Sequence, residues 1–268
     1  MTDRVSQVIT EQGIDFYRQD FNIDPLYYWR GNDADDRLGI TEIRHVEGYF
    51  AYWDELVRRH PALWIDTCAS GGRRNDLETL RLAVPILRSD WTPDLSLAQG
   101  DLLDQQNHTY GVSFWMPYNG TGYSSIDKYV ARSIMTTIHG IGVDTRRKDL
   151  NYGLLRKLVA EWREISPCYL GDYYPLTPYR KSADVWAVWQ FDLPDAGRGV
   201  VQAFRRKTCP QQSLTVKLRG LEGQAQYELV DFDDRKPRQV LGRELMNAGL
   251  TISAPDRPAA LIFTYRRL

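Results

Sequence analysis

By residue 91, three short apolar runs have each ended on charged, polar or glycine-rich residues. Ile14-Asp15-Phe16-Tyr17 runs into Arg18-Gln19-Asp20-Phe21-Asn22. Ala62-Leu63-Trp64-Ile65 leads to Cys68-Ala69-Ser70-Gly71-Gly72-Arg73-Arg74-Asn75-Asp76. Val84-Pro85-Ile86-Leu87 leads to Arg88-Ser89-Asp90-Trp91. Consecutive strands of a β/α barrel have this form when their C-terminal ends carry chemistry. Two of the three ends hold an aspartate. A pair of carboxylates at such a face is the minimal equipment for cleaving a glycosidic bond.

The rest of the chain extends the pattern. Helical spacing of apolar residues predicts helices over 2–12, 40–60, 76–82, 96–106, 124–137 and 150–164, and apolar runs predict strands over 14–19, 62–67, 84–88, 111–116 and 138–143. Strands alternating with helices imply parallel βαβ units. After the Pro- and Tyr-rich stretch 166–179 the pattern changes to short strands split by turn residues, over 185–191, 199–205, 214–218, 227–232, 250–252 and 260–265. The expected fold is therefore α/β. Residues 1–180 form a partial barrel of the (β/α)8 TIM type, and 181–268 an antiparallel β-sandwich. About five βα units are found where a closed barrel needs eight, so the chain reads as the C-terminal part of a longer enzyme or one whose missing strands come from elsewhere.

Composition narrows the function classes. A net charge of -1 over 268 residues gives no electrostatic reason to expect nucleic acid or an anionic membrane as partner. No apolar run is long enough to span a bilayer, and the polar N-terminus does not read as a secretory signal, so the chain is expected in the cytoplasm. Its three cysteines, Cys68, Cys168 and Cys209, are odd in number and widely spaced, which argues against a disulfide framework and against a zinc site. No metal and no organic cofactor is expected. Aromatics make up 12% of the residues, and core packing accounts for most of them. Sugar clefts also use such rings, because pyranose faces stack on them.

Candidate site residues follow from the three strand ends. Alternation past the first strand puts Arg18, Asp20 and Asn22 on one side, and a cation two residues away favours an ionised Asp20. Gly71 and Gly72 allow close backbone approach to a ligand, with Arg74 and Asp76 able to brace the loop or Asp76 to cap a helix. Asp90 lies beside Trp91, an aromatic neighbour of the kind that limits solvation of a carboxyl.

These residues resemble those of glycoside hydrolase family 36, the melibiase-type α-galactosidases. That family has Lys-x-Asp-x-Asn, Cys-x-x-Gly-Gly-Gly-Arg-x-Asp and Ser-Asp on its fourth, fifth and sixth barrel strands. Here they read Arg18 to Asn22, Cys68 to Asp76, and Ser89-Asp90. Gly171 to Tyr179 and Trp189-Gln190-Phe191-Asp192 resemble the family's passage into its C-terminal β-domain. Arg18 replaces the family's Lys, Gln19 an aromatic or apolar residue, and Arg73 the third glycine, where it is expected to narrow the sugar pocket.

The resemblance implies a retaining hydrolase of terminal α-galactosides, with Asp20 as nucleophile and Asp90 as general acid/base. Arg18, Asn22, Cys68, Gly71 and Arg74 would bind the sugar of a glycoside or oligosaccharide, and Trp91, with Trp115 as a weaker candidate, would stack on it. The family's early strands, which also grip galactose, are not in this chain. Two alternatives stay open: an inactive fragment that at most binds sugar, its open half-barrel prone to self-association as a homo-oligomer, and a related hydrolase for another α-linked sugar.

Overall fold

A computed structural model describes residues 1–68, 71–91 and 102–268. Their contacts divide them into two compact units, Met1–Asp90 and Trp91–Leu268. Among the described residues no helix is long and apolar enough to cross a membrane.

The first unit runs α1 (Thr2–Gln12), β1 (Phe16–Gln19), α2 (Leu26–Asn32), α3 (Ile40–Arg59), β2 (Trp64–Thr67) and α4 (Leu77–Leu82). α1 stops at Gly13, whose φ of 61° is the left-handed cap that glycine takes without steric cost. β1 and β2 pair in parallel with Phe16 opposite Trp64 and Gln19 opposite Thr67. The apolar stripe of α3 closes over them: Tyr52, Trp53 and Leu56 are buried with Ile9 of α1, Ile65 of β2 and Ala83.

The strand expected over 84–88 does not form; only Val84 bridges Asp66, in parallel. Pro85 has no N–H to continue a ladder, and the next amide, Ile86, is taken by the side chain of Asp66 at 2.9 Å. α2 was not expected from the sequence.

The second unit begins with α5 (Leu102–Val112), β3 (Gly120–Tyr123), α6 (Lys128–Ser133), β4 (Ile138–Ile141) and α7 (Tyr152–Ile165). Of the helix expected over 96–106, residues 96–101 lie outside the described residues. The strand expected over 111–116 is instead the end of α5 and a turn that continues its spacing, with the Met116 N–H on Val112 O at 2.9 Å. The strand of this stretch is β3, Gly-Thr-Gly-Tyr, which pairs in parallel with β4. Its glycines hid it from an apolar-run criterion, yet packing requires one of them: a Cβ on Gly120 would collide with the Ile138 side chain. α6 is shorter than the helix expected over 124–137, starting where Asp127 accepts the Val130 N–H.

Strands β5 (Asp172–Pro175), β6 (Trp186–Leu193), β7 (Arg198–Arg205), β9 (Gln226–Asp231), β10 (Pro237–Leu241) and β12 (Ala259–Arg267) form one antiparallel six-stranded sheet in the order β10-β9-β12-β7-β6-β5. β8 (Ser213–Val216) and β11 (Leu250–Ser253) pair separately, and α8 spans Gly242–Asn247. β5, β10 and α8 were not expected; β5 lies in the 166–179 stretch, at the sheet edge where Pro175 is tolerated.

Both faces of the large sheet are covered. Trp186, Val188, Val201 and Phe263 pack with Val216, Leu245, Leu250 and Ile252 of β8, α8 and β11. Trp189, Phe191, Val200, Phe204 and Ile262 pack with Ala131, Leu158 and Ile165 of the helices. The first arrangement is consistent with the expected sandwich, and the second explains why β6 and β7 are buried at almost every position.

Candidate active site

The in-register pairing of β1 and β2 sets the geometry of the first unit. Asp20 follows β1 as Cys68 follows β2, and the Cys68 N–H donates to Gln19 O at 3.0 Å. Val84 lies along the other side of β2, its N–H on Ile65 O and its own O accepting from Thr67. Three neighbouring parallel segments therefore lead to Asp20, to Cys68, and to Asp90.

These residues meet. The Cys68 thiol takes a hydrogen bond from the Gly71 N–H and shares one with the Asp20 carboxylate. Burial pushes that thiol above its ordinary pKa, so at neutral pH it is a neutral S–H able to donate to Asp20. A Cβ on Gly71 would lie 2.9 Å from the Asp90 carboxyl. Asp20, Cys68, Gly71 and Asp90 thus form one continuous cluster.

Gly71 and Gly72 have φ of 76° and 82°, the left-handed region where a side chain is strained. At Gly72 a Cβ would also lie 2.5 Å from Arg88 O. Gly72→Ala is expected to push the 71–72 turn off Arg88 and lower the stability of the first unit by about 1–3 kcal/mol. An unchanged urea midpoint would show that the turn rearranges freely.

Arg18 is held between two carboxylates. Its Nη1 donates to Asp66 Oδ2 at 2.5 Å and its Nη2 stands 3.6 Å from Asp20 Oδ2. Burial works against its charge, but the Asp66 hydrogen bond and nearby carboxylates outweigh it and raise its pKa. Asp66 is 2% exposed, and its Oδ1 accepts the Ile86 N–H. It ties β1, β2 and the segment leading to Asp90 together. Sequence reasoning missed Asp66; its signal was an acidic residue inside an otherwise apolar strand.

The remaining candidates are placed as follows. Alternation holds, with Arg18, Asp20 and Asn22 exposed and Gln19 and Phe21 turned inward. Gln19 accepts from the Trp53 indole at 2.7 Å, so a polar residue suits that position. Arg74 lies over the Phe21 ring and donates to Phe21 O and Ile23 O at 3.3 and 3.5 Å. It braces the segment after Asp20 and not Asp76, whose carboxylate caps α4 through the Thr79 N–H. Arg73 lines a cavity in which neither Asp20 nor Asp90 takes part. Ala69 and Ser70 lie outside the described residues. Trp91 opens the second unit, 44% exposed, with its indole on Asp104 at 2.5 Å; Trp115 is 41% exposed after α5.

Among the described residues no group of three or more His, Cys, Asp or Glu could hold a metal ion.

Residues 186–264 match the family model of the glycosyl hydrolase family 36 C-terminal domain. The resemblance to family 36 therefore holds, for the C-terminal portion of its chains. "Probable alpha-galactosidase C" of Aspergillus terreus is 26% identical over 236 residues, covering 85% of this chain and 30% of its own length. "Alpha-galactosidase AgaA" of Geobacillus stearothermophilus is 24% identical over 282 residues, covering 99% of this chain and 36% of its own. A solved structure of a variant of that family 36 enzyme in complex with raffinose superposes on all of this chain and 37% of its own, with a TM-score of 0.80 at 19% identity. This chain spans about a third of the length of the relatives it matches and has the fold of their C-terminal region.

Proposed function

We propose that this chain carries the catalytic carboxylates of a retaining α-galactosidase, Asp20 as nucleophile and Asp90 as general acid/base. The observation that carries the reading is the Asp20–Cys68–Gly71–Asp90 cluster at the ends of three adjacent parallel segments. In this reading β1, β2, the Val84 segment, β3 and β4 are the fourth to eighth strands of a β/α barrel, with the boundary to the β-domain near residue 180.

Asp90 gives its proton to the glycosidic oxygen as Asp20 attacks the anomeric carbon; the C–O bond to the leaving group breaks and a galactosyl ester forms on Asp20. Asp90, now a carboxylate, takes a proton from water, whose oxygen attacks the anomeric carbon and releases galactose and Asp20. A guanidinium 3.6 Å from Asp20 and a thiol donating to it suit a carboxylate that must stay charged. In this reading Arg18, Asn22, Cys68 and Gly71 would meet sugar hydroxyls, and Arg74, on Phe21 O and Ile23 O, positions the backbone after Asp20. AgaA in complex with raffinose supports an oligosaccharide as the substrate class.

Hydrolysis of an aryl α-galactoside and of raffinose by the purified chain tests this. Asp20→Asn is expected to abolish both activities. Asp90→Asn is expected to lower raffinose turnover about 10²–10⁴-fold and aryl galactoside turnover less, because a good leaving group needs little protonation. A second reading, a non-catalytic sugar-binding portion, is favoured by the chain's coverage of only 30–36% of its relatives' lengths. Saturable galactose binding by a folded chain without turnover would establish it in place of the first.

A further inference from the structure

We infer that the first unit holds a second carbohydrate site, a cavity beside α3 that takes a single hexopyranose ring. The cavity has a volume of about 270 Å³. Asp20 and Asp90 do not line it, so it is not the cluster at the strand ends.

Its wall is aromatic. His45 of α3 lies 5.2 Å from the Trp29 ring, 5.8 Å from Phe21 and 6.5 Å from Tyr49, the last nearly parallel at 17°. Such a surface takes the apolar C–H face of a pyranose. Two charged groups of its lining, the Glu42 carboxylate and the Arg73 guanidinium, are unengaged among the described residues. Glu42 and Arg73 are both exposed and make no hydrogen bond or ion pair with any described residue. The other charged groups of the wall are already engaged, Arg74 on Phe21 O and Ile23 O and Asp76 on the Thr79 N–H.

The charges choose the ligand. Arg73 and Arg74 balance Glu42 and Asp76, so the cavity has no net field to draw an ion. A phosphate drawn by Arg73 would share the cavity with the Glu42 and Asp76 carboxylates, and an amine drawn by Glu42 would share it with Arg73 and Arg74. A wholly apolar ligand would desolvate both without pairing either. A neutral ring with hydroxyls around its edge satisfies all three demands: it donates to Glu42, accepts from Arg73 and stacks on the aromatic wall.

The site is read by calorimetric titration of the full chain with galactose and with glucose, in an Asp20→Asn background that silences turnover. Saturable binding in the millimolar range is expected, weakened about tenfold by Arg73→Ala, which removes a donor, and several-fold by Glu42→Gln, whose amide oxygen still accepts but without the charge. Trp29→Ala removes the stacking face and is expected to weaken it at least as much. Three results would overturn the inference: no saturable binding of either hexose, binding indifferent to Glu42→Gln and Arg73→Ala, or tighter binding of inorganic phosphate or phenylalanine. Binding indifferent to those variants but lost in Asp90→Asn would assign the sugar to the strand-end cluster alone, leaving the hydrolase reading intact.

Discussion

Replacing Arg132 by leucine is expected to destabilise the second unit by about 3–5 kcal/mol, a large fraction of the ~5–15 kcal/mol that holds an ordinary domain folded. Arg132, on α6, has a fully buried side chain, and so has Glu161 on α7, at 0% and 1% exposure. Nε and Nη2 of the guanidinium donate to the two oxygens of Glu161, both at 3.0 Å, in a parallel fork. Nη1 donates to Ala260 O of β12 at 2.8 Å, and Nη2 also reaches Asp233 Oδ1 at 2.9 Å. One side chain thus joins two helices to the central strand of the large sheet and to the turn after β9. Leucine would leave the Glu161 carboxylate buried without its guanidinium and take the Arg132 donor from Ala260 O. Most of the cost comes from that orphaned charge and little from the lost attraction, because an intact buried pair roughly breaks even against apolar replacements. The double variant Arg132→Leu/Glu161→Leu is therefore expected to recover most of the loss. Urea unfolding followed by circular dichroism measures both. Equal midpoints for the single and double variants would show that the pair itself, and not the stranded carboxylate, supplies the stability.

Legibility of this fold in its sequence followed side-chain periodicity and failed where backbone or polar side chains decide. α1, α3 and α7 carry apolar stripes at helical spacing, and their spans came out within two residues of those expected. β6, β7, β9 and β12 are apolar runs between turn residues and were equally plain. β3 was invisible, since Gly-Thr-Gly-Tyr reads as a turn until one sees that Ile138 leaves no room for a side chain at 120. The run 84–88 looked like a strand because Pro85 was counted as apolar and not as a missing donor. At the candidate site, the order of three strand ends pointed to Asp20, Cys68, Gly71 and Asp90, which the fold brings into contact. Asp66 could not be found that way, because its role depends on which segments become neighbours. Arg74 could have bonded Asp76 by sequence distance, and only the path of the chain after β1 sends it to Phe21 and Ile23.

Asp66 is where the second large effect is expected. Its carboxylate is 2% exposed and its two oxygens serve different neighbours, Arg18 of β1 on one side and the Ile86 N–H on the other. The Ile86 amide has no ladder partner because Pro85 interrupts the strand, so Asp66 stands in for the missing strand acceptor. Asp66→Ala removes both bonds. Hydrogen bonds to charged groups contribute about 1.5–3 kcal/mol each. The Arg18 side chain is 40% exposed, so water screens its share and the total expected is about 3 kcal/mol. Asp66→Asn separates the two contributions. The amide oxygen can still accept from Ile86, so stability falls by only about 1 kcal/mol, while the charge that shares Arg18 with Asp20 is gone. Arg18 then turns wholly to Asp20, 3.6 Å away in the native arrangement. A carboxylate in a tighter ion pair is a poorer nucleophile, so Asp66→Asn is expected to lower turnover of an α-galactoside at nearly native stability. Asp66→Ala is expected to lower both. Loss of stability in Asp66→Asn equal to that in Asp66→Ala would show that the charge on Arg18, and not the acceptor for Ile86, holds these three segments in register.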